Sequence, residues 1–160
     1  MSDTLRIVID DLRDRQVIAL LEEHLVDMRA QSPACSVHAL DIEELKGPKV
    51  TFYTAWIDKE LRGCGALHEL DATHAELKSM RTVSNALRTG VSSKILAHLM
   101  DESCRRGYQR LSLETGSQPG FLPARKFYEH HGFTITEPFA DYTLDPVSYT
   151  HLTLPTICSV

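Results

Sequence analysis

The segment from Glu76 to Leu96 constrains the fold of this chain more than any other. It reads ELKSMRTVSNALRTGVSSKIL, which is a strand-like run, a polar turn and an apolar helix directly behind the turn. Backbone N–H groups in the first turn of a helix have no partner inside the helix, and with the helix dipole they favour an anion there. Gly90 lets a ligand approach closely, Arg88 adds a cation, and the small Ser92 and Ser93 leave room for a diphosphate. The segment predicts a site for a phosphorylated cofactor.

Two common phosphate motifs are absent from the sequence. Neither G-x-x-x-x-G-K-[ST] nor G-x-G-x-x-G occurs, which excludes a P-loop and a dinucleotide fingerprint. The run Leu87-Arg88-Thr89-Gly90-Val91-Ser92 instead resembles motif A of the GNAT acetyltransferase superfamily, Q/R-x-x-G-x-G/A. Leu stands at the first position and Ser at the last, so the central glycine is the strictly kept position. The resemblance implies that residues 87–93, up to Ser93, bind the pyrophosphate of acetyl-CoA as cosubstrate.

A second motif supports the same resemblance. The run Pro123-Ala124-Arg125-Lys126-Phe127-Tyr128-Glu129-His130-His131-Gly132-Phe133 is similar to the A-x-x-F-Y-x-x-x-G-F helix and strand of the superfamily, in the expected order and spacing. Phe121 stands where the family usually has Asn three residues before the Ala. The resemblance implies that Tyr128 points at the cofactor sulfur.

Hydrophobic periodicity and turn residues predict the order of secondary structure. The order is a run of antiparallel strands followed by helix, strand, helix and strand, which is typical of an α+β fold with a mostly antiparallel mixed sheet flanked by helices. It is also the order that the GNAT family shows. The predicted strands are 5–9, 50–57, 60–70, 75–83, 110–114 and one from Phe133, and the predicted helices are 14–29, 41–46, 91–106 and one around Tyr128.

The chain is predicted to form one domain, residues 1–146, with an atypical tail at 147–160. A length of 160 residues with 42% hydrophobic content suits one core. The tail resembles adapter-derived read-through that takes the place of the last strand. The alternative is a genuine divergent strand, because residues 149–154 carry enough β-formers to pair with 133–138.

Acyl transfer from a thioester requires a neutral amine, a donor for the oxyanion and a proton for the departing thiolate. Tyr128 is the candidate acid, with an aromatic core role as the alternative. Glu76 falls where histone-modifying members of the superfamily keep a general-base glutamate, although a strand-start Glu is more often a surface charge. The resemblance implies that backbone groups at Met80, Arg81 and Thr82 pair with pantetheine and hold the acetyl carbonyl.

Three further residues are candidates for the acceptor site. Glu114 ends a predicted strand and is the second carboxylate to test. His38 lies in a loop that shapes the acceptor pocket in the family, and Trp56 on the hairpin is a candidate pocket wall, with a loop role and a core role as the alternatives. His130 and His131 suit a helix C-terminus and are interpreted as structural, so no metal site is expected.

Charge and composition narrow the class of partner. A net charge of −5 argues against nucleic acid or an anionic membrane, and one cofactor explains Arg81, Arg88 and Lys94. No apolar run approaches the roughly 20 residues of a membrane span, and no signal-peptide core is visible, which predicts a cytoplasmic protein. The four cysteines form no C-x-x-C pair, which favours free thiols over disulfides or zinc ligands.

The leading hypothesis is a cytoplasmic N-acetyltransferase that moves acetyl from acetyl-CoA to the primary amine of a small molecule or peptide. Two alternatives stay open: a non-catalytic acyl-CoA binding or sensing module on the same fold, and a protein lysine or N-terminal acetyltransferase. A homodimer is compatible with the resemblance, although no residue argues for it. Fold resemblance identifies the donor and leaves the acceptor open.

Overall fold

A mixed β-sheet with helices on both faces organises the chain. The computed structural model describes residues 4–31, 42–117, 119–140, 142 and 149–155. Its strands are β1 (Arg6–Ile9), β2 (Val50–Ile57), β3 (Glu60–Asp71), β4 (His74–Thr82), β5 (Arg110–Gly116), β6 (Thr134–Thr136) and β7 (Tyr149–Pro155). Its helices are α1 (Arg15–Gln31), α2 (Ile42–Leu45), α3 (Val91–Arg105) and α4 (Leu122–His130).

The strands lie in the order β1-β2-β3-β4-β5-β7-β6. Strands β4 and β5 pair in parallel, and each other neighbouring pair is antiparallel. The predicted α+β class with a mostly antiparallel sheet is therefore confirmed. The predicted strands and helices also agree with the observed ones to within about two residues at most ends, because turn and glycine signals bound them.

Side chains that alternate along β2 build two separate cores. Phe52 and Trp56 face α1 and α2, where they join the buried Val17 and Leu21. Tyr53 and Ala55 face the opposite side and pack with helices α3 and α4. This period of two is the expected consequence of the pleat. The sheet is therefore covered on both faces, and a gap in it connects the α1 side with the α4 side.

Such a gap opens between the two parallel strands. Within the described residues, the ladder between β4 and β5 runs from His74 and Arg110 to Leu77 and Leu113. Beyond that point β4 stays paired with β3, and β5 stays paired with β7. The facing edges of residues 78–82 and 114–116 consequently separate.

A β-bulge bends β4 at the opening of this gap. The register with β3 shifts between Cys64 and Ala66, so that Gly65 lies opposite both Ser79 and Met80. Ser79 has a φ of 55°, a backbone conformation that residues other than glycine rarely adopt. A Cβ on Gly65 would lie 2.6 Å from the Met80 sulfur, so a larger residue opposite the bulge would require the Met80 side chain to move. Bulges re-aim side chains and end pairing, and this one turns β4 away from β5.

Residues of the atypical tail complete the sheet. Strand β7 lies between β5 and β6, and its Leu152 is fully buried in the core. Pairing of this segment with β6, expected for a genuine strand, is observed at Thr134–Thr136. The pairing does not test the origin of residues 147–160, and the interpretation of the tail stays a prediction.

The expectation that the cysteines are free thiols holds for Cys64 and fails for Cys104. Cys64 is a free, buried thiol, whereas Cys104 is disulfide-bonded. Cys35 and Cys158 lie outside the described residues. In the described part of the chain no helix has the length and apolar character needed to cross a membrane.

Candidate active site

A cavity of about 150 Å³ occupies the gap between β4 and β5. The separated strand edges form two of its walls, α1 forms a third, and the start of α4 closes the fourth. Its lining residues are His24, Met28, Glu76, Leu77, Lys78, Ser79, Met80, Leu113, Glu114, Thr115, Gly116, Phe121, Ala124 and Tyr128. Three residues predicted for catalysis or acceptor binding, Glu76, Glu114 and Tyr128, therefore meet in one place.

Tyr128 reaches the cavity from α4 and is 8% exposed. Its ring packs edge-on against Phe127 and Phe133, with ring centroids 5.2 Å and 5.6 Å apart. Burial raises the pKa of the phenol well above its usual value of 10, because an anionic phenolate would lose its hydration. Tyr128 is consequently neutral and carries its proton at any ordinary pH.

Glu76 is buried at the end of the paired part of β4, and other side chains satisfy its carboxylate. The Tyr142 hydroxyl donates to Oε2 at 2.6 Å, and Lys78 Nζ lies 3.4 Å from the same oxygen. His68 Nδ1 lies 3.4 Å from Oε1. Glu76 therefore lines the cavity as a buried carboxylate and is not a solvated surface charge, and its catalytic role stays a prediction.

The second carboxylate, Glu114, lies on the opposite wall. Its Oε2 accepts a hydrogen bond from His151 Nε2 at 2.9 Å, and both side chains are buried. His151 comes from β7 and stacks near Tyr142, at 5.5 Å between ring centroids. The cavity thus contains two carboxylates, each held by a side chain from the C-terminal part of the chain.

Two polar atoms beside the cavity have no partner within the described residues: His24 Nδ1 and Ser79 Oγ. Burial, helped by the nearby Arg81 cation, lowers the pKa of His24 from 6.5 to about 4. His24 is therefore neutral at pH 7. An unsatisfied buried polar atom is costly, so both atoms are candidates to bind a ligand or an ordered water.

The start of α3, where the sequence predicts a phosphate site, is an open helix N-terminus. Gly90 caps the helix with a φ of 85° and a ψ of 2°, and a Cβ placed on it would meet no atom within 4 Å. Arg88 also has a positive φ, and Leu87 is exposed. Lys94 N–H is bonded to the Gly90 carbonyl, so the earlier N–H groups of the helix point outward. The open space and the free donors fit a diphosphate.

Neighbouring side chains of this region are tied into the fold. Arg81 is bound by two carboxylates of α1, with distances of 2.6 Å to Glu23 and 2.5 Å to Asp27. The interpretation of the Arg81 cation as a cofactor ligand is therefore not supported, because that charge is already neutralised. Thr82 Oγ1 and Ser92 Oγ lie 2.5 Å apart and join β4 to α3. Thr89 bonds the Ala86 carbonyl through its hydroxyl.

Two candidates for the acceptor site lie elsewhere. Trp56 belongs to the core on the α1 face, where its indole N–H donates to Thr54 at 2.8 Å, and it is not among the described residues that line the cavity. This position agrees with the core role. His38 lies outside the described residues.

Sequence reasoning missed four residues at or near the cavity: His24, Lys78, Tyr142 and His151. Alternation along β4 could have found Lys78, which lies two residues after Glu76 on a strand of period two. The other three come from distant segments, and no local pattern marks them.

Comparison with known proteins identifies the family. The model of the Acetyltransferase (GNAT) family matches residues 17–133. The chain is 56% identical over 144 residues to the uncharacterized N-acetyltransferase YsnE of Bacillus subtilis (strain 168), covering 90% of this chain and 95% of that protein. It is 51% identical over 139 residues to the uncharacterized N-acetyltransferase YedL of Escherichia coli (strain K12), covering 87% of each. The chain belongs to the GNAT family.

Solved structures agree with this fold. A structure from Klebsiella pneumoniae assigned as an acyl-CoA N-acyltransferase superposes with a TM-score of 0.79 at 24% identity, covering 95% of this chain and 97% of that one. A GNAT family acetyltransferase from Elizabethkingia anophelis, solved with acetyl-CoA bound, superposes with a TM-score of 0.65 at 16% identity and covers 96% of this chain and 99% of that one. Family membership makes this protein an acyltransferase with acetyl-CoA as cosubstrate.

Proposed function

We propose that this protein transfers an acetyl group from acetyl-CoA to the primary amine of a small molecule or a peptide, in the cytoplasm. The observation that carries the proposal is the convergence of Tyr128 with two carboxylates, Glu76 and Glu114, on one cavity where β4 and β5 separate. The three side chains supply the acid and the base that acyl transfer needs.

Acetyl-CoA supplies an activated acyl group, and this chain supplies its binding site. The first turn of α3, with Gly90 at its start, would hold the diphosphate through backbone N–H groups and the helix dipole. The separated edge of β4 at Met80, Arg81 and Thr82 would pair with the pantetheine arm through backbone groups. The bulge at Ser79 supports this role, because it opens the edge of β4 beside the cavity.

Tyr128 is the proposed general acid. A phenol of ordinary pKa near 10 is about 1.5 units weaker than a thiol near 8.5, so donation to the thiolate costs about 2 kcal/mol. Burial raises the pKa of Tyr128, but the same apolar surroundings destabilise a thiolate, so the two effects oppose each other. The Tyr128 hydroxyl therefore keeps its proton until the thiolate of CoA departs and accepts that proton.

Glu76 and Glu114 are the two candidate bases. An acceptor amine with a pKa near 10.4 is protonated at pH 7 and must lose a proton before it attacks. Glu76 already accepts a hydrogen bond from Tyr142 and contacts Lys78, whereas Glu114 accepts one from His151. Both carboxylates also favour a cationic amine in the cavity by charge. A volume of about 150 Å³ suits a small amine or the end of one side chain.

The proposal is tested in two steps. Calorimetric titration of acetyl-CoA into the purified protein establishes donor binding, and thiol release in the presence of a panel of amines then establishes turnover. Glu76→Gln and Glu114→Gln are matched variants that keep size and remove charge. The variant of the true base should lose about 100-fold or more in kcat, and the other should lose much less. Donor binding without turnover on any amine would favour the acyl-CoA binding module instead.

A further inference from the structure

We propose that Lys78 is an acetylation site built into the cavity, and that its amine accepts the acetyl group of acetyl-CoA bound to the same molecule. This inference rests on the proposed function, because it uses the same donor and the same acid. It adds an acceptor that belongs to the protein itself.

The position of Lys78 separates it from every other lysine in the chain. All six lysines lie within the described residues, and the other five are exposed: Lys46, Lys49, Lys59, Lys94 and Lys126. The Lys78 side chain is 9% exposed and lines the cavity together with Tyr128. Lysine is rarely buried unless it has a partner or a function. A reagent in solution would therefore modify the other five lysines first.

The contacts of Lys78 are those that an acceptor amine requires. Its Nζ donates to the Tyr142 hydroxyl at 2.6 Å and lies 3.4 Å from Glu76 Oε2. The Tyr142 hydroxyl in turn donates to the same Glu76 oxygen at 2.6 Å. A primary amine thus lies beside a candidate base, with a direct path and a hydroxyl-mediated path for its proton. It stands on β4 two residues before Met80, the residue expected to help hold the acetyl carbonyl.

The proposed reaction is the attack of the Lys78 amine on the thioester of acetyl-CoA. Glu76 accepts one proton from the Lys78 ammonium, and the neutral nitrogen attacks the thioester carbon. The new carbon–nitrogen bond forms as the carbon–sulfur bond breaks, and Tyr128 gives its proton to the departing sulfur. Of the three ammonium protons, one stays on the amide nitrogen, one restores Tyr128, and one leaves through Glu76 to solvent. The products are Nε-acetyl-Lys78 and free CoA.

Acetylation would also change the site. It removes the positive charge beside Glu76 and places an acetyl group in a cavity of about 150 Å³. An added amine that uses the same cavity should therefore slow the acetylation of Lys78, and the acetylated protein should turn over added amines more slowly.

The test is site-resolved mass spectrometry of the whole protein after incubation with acetyl-CoA alone. Digestion with a protease that does not cut at lysine allows the acetylated fraction at all six lysines to be followed with time. Lys78 should gain acetyl at least about tenfold faster than any exposed lysine, and Tyr128→Phe should lower the Lys78 rate at least about tenfold without changing the others. Lys78→Arg, which keeps the charge, should abolish this fast phase, and Lys126→Arg is the matched surface control.

Two results would overturn the inference. If acetyl-CoA binds and added amines are acetylated while Lys78 is modified no faster than the exposed lysines, Lys78 is only the charge partner of Glu76. If Lys78 is modified quickly but equally in Tyr128→Phe, the reaction is chemical and not catalysed by the site. A lack of acetyl-CoA binding would remove the proposed function together with this inference, and calorimetry distinguishes that case from the first.

Discussion

Replacement of Tyr128 by phenylalanine tests the proposed acid, because it removes one oxygen and keeps the ring that packs against Phe127 and Phe133. We expect kcat to fall about 10- to 1000-fold, which corresponds to about 1.4 to 4 kcal/mol of transition-state stabilisation. Because the ring contacts stay, the affinity for acetyl-CoA should stay nearly unchanged. Turnover is measured by thiol release and affinity by calorimetry.

The pH dependence gives a second readout from the same protein. Burial raises the pKa of Tyr128 in the folded state, so the phenol stays protonated as the pH rises through the range of a normal tyrosine. Turnover of the wild-type protein should therefore show no loss from Tyr128 ionisation up to about pH 10. A loss of activity in this range that disappears in Tyr128→Phe would contradict the burial argument.

Tyr108→Phe is the matched control. Tyr108 is also buried, but its hydroxyl donates to Glu69 at 2.7 Å and it does not line the cavity. This variant should lose about 1–3 kcal/mol of folding stability and keep its kcat at permissive temperature. Unchanged kcat in Tyr128→Phe, with the protein folded and saturated with both substrates, would refute the acid assignment and leave Tyr128 a core aromatic.

Two other predictions use single side chains. Gly90→Asp should weaken acetyl-CoA binding at least tenfold more than Gly90→Asn in calorimetry, since both residues tolerate the positive φ and only Asp opposes the diphosphate by charge; equal affinities would mean that the phosphate site lies elsewhere. The pKa of His24 is lowered from 6.5 to about 4, so its contribution to stability is complete above pH 6.5 and is lost as the pH falls towards 4. At about pH 5 this loss is about 2 kcal/mol, and His24→Gln should remove it in denaturant titrations at pH 5 and 8, whereas the same pH dependence in both proteins would contradict it.

Much of the fold could be predicted from local pattern. The apolar and β-forming residues of both arms and the turn at Asp58 predict the hairpin, and the apolar spacing of α3 predicts its buried face with Ile95 and Leu99. The last strand could not be predicted in this way, because the unusual composition of residues 147–160 argues against an ordinary strand. Tertiary context decides here: the edges of β5 and β6 need a partner, and Leu152 fills the core between them.

In the candidate site, too, the residues in local motifs could be predicted from the sequence, whereas the contacts between distant segments could not. The two motifs are contiguous runs, so the turn at Gly90, predicted to bind phosphate, and the aromatic residue Tyr128 could be picked out without coordinates. Arg81 shows the limit of such reasoning: its sequence neighbours suggest a cofactor ligand, but α1 presents Glu23 and Asp27 to it from more than 50 residues away.

By itself, the sequence determined the identity and order of the elements up to β6, the glycine turn before α3 and the family, because each depends on residues that are close along the chain. Only the tertiary structure decided that Tyr142, 66 residues from Glu76, bonds its carboxylate, and that Lys78 contacts both side chains. Such contacts depend on strand register and on where β4 and β5 separate. A shift of one residue in register would turn each side chain to the other face of the sheet.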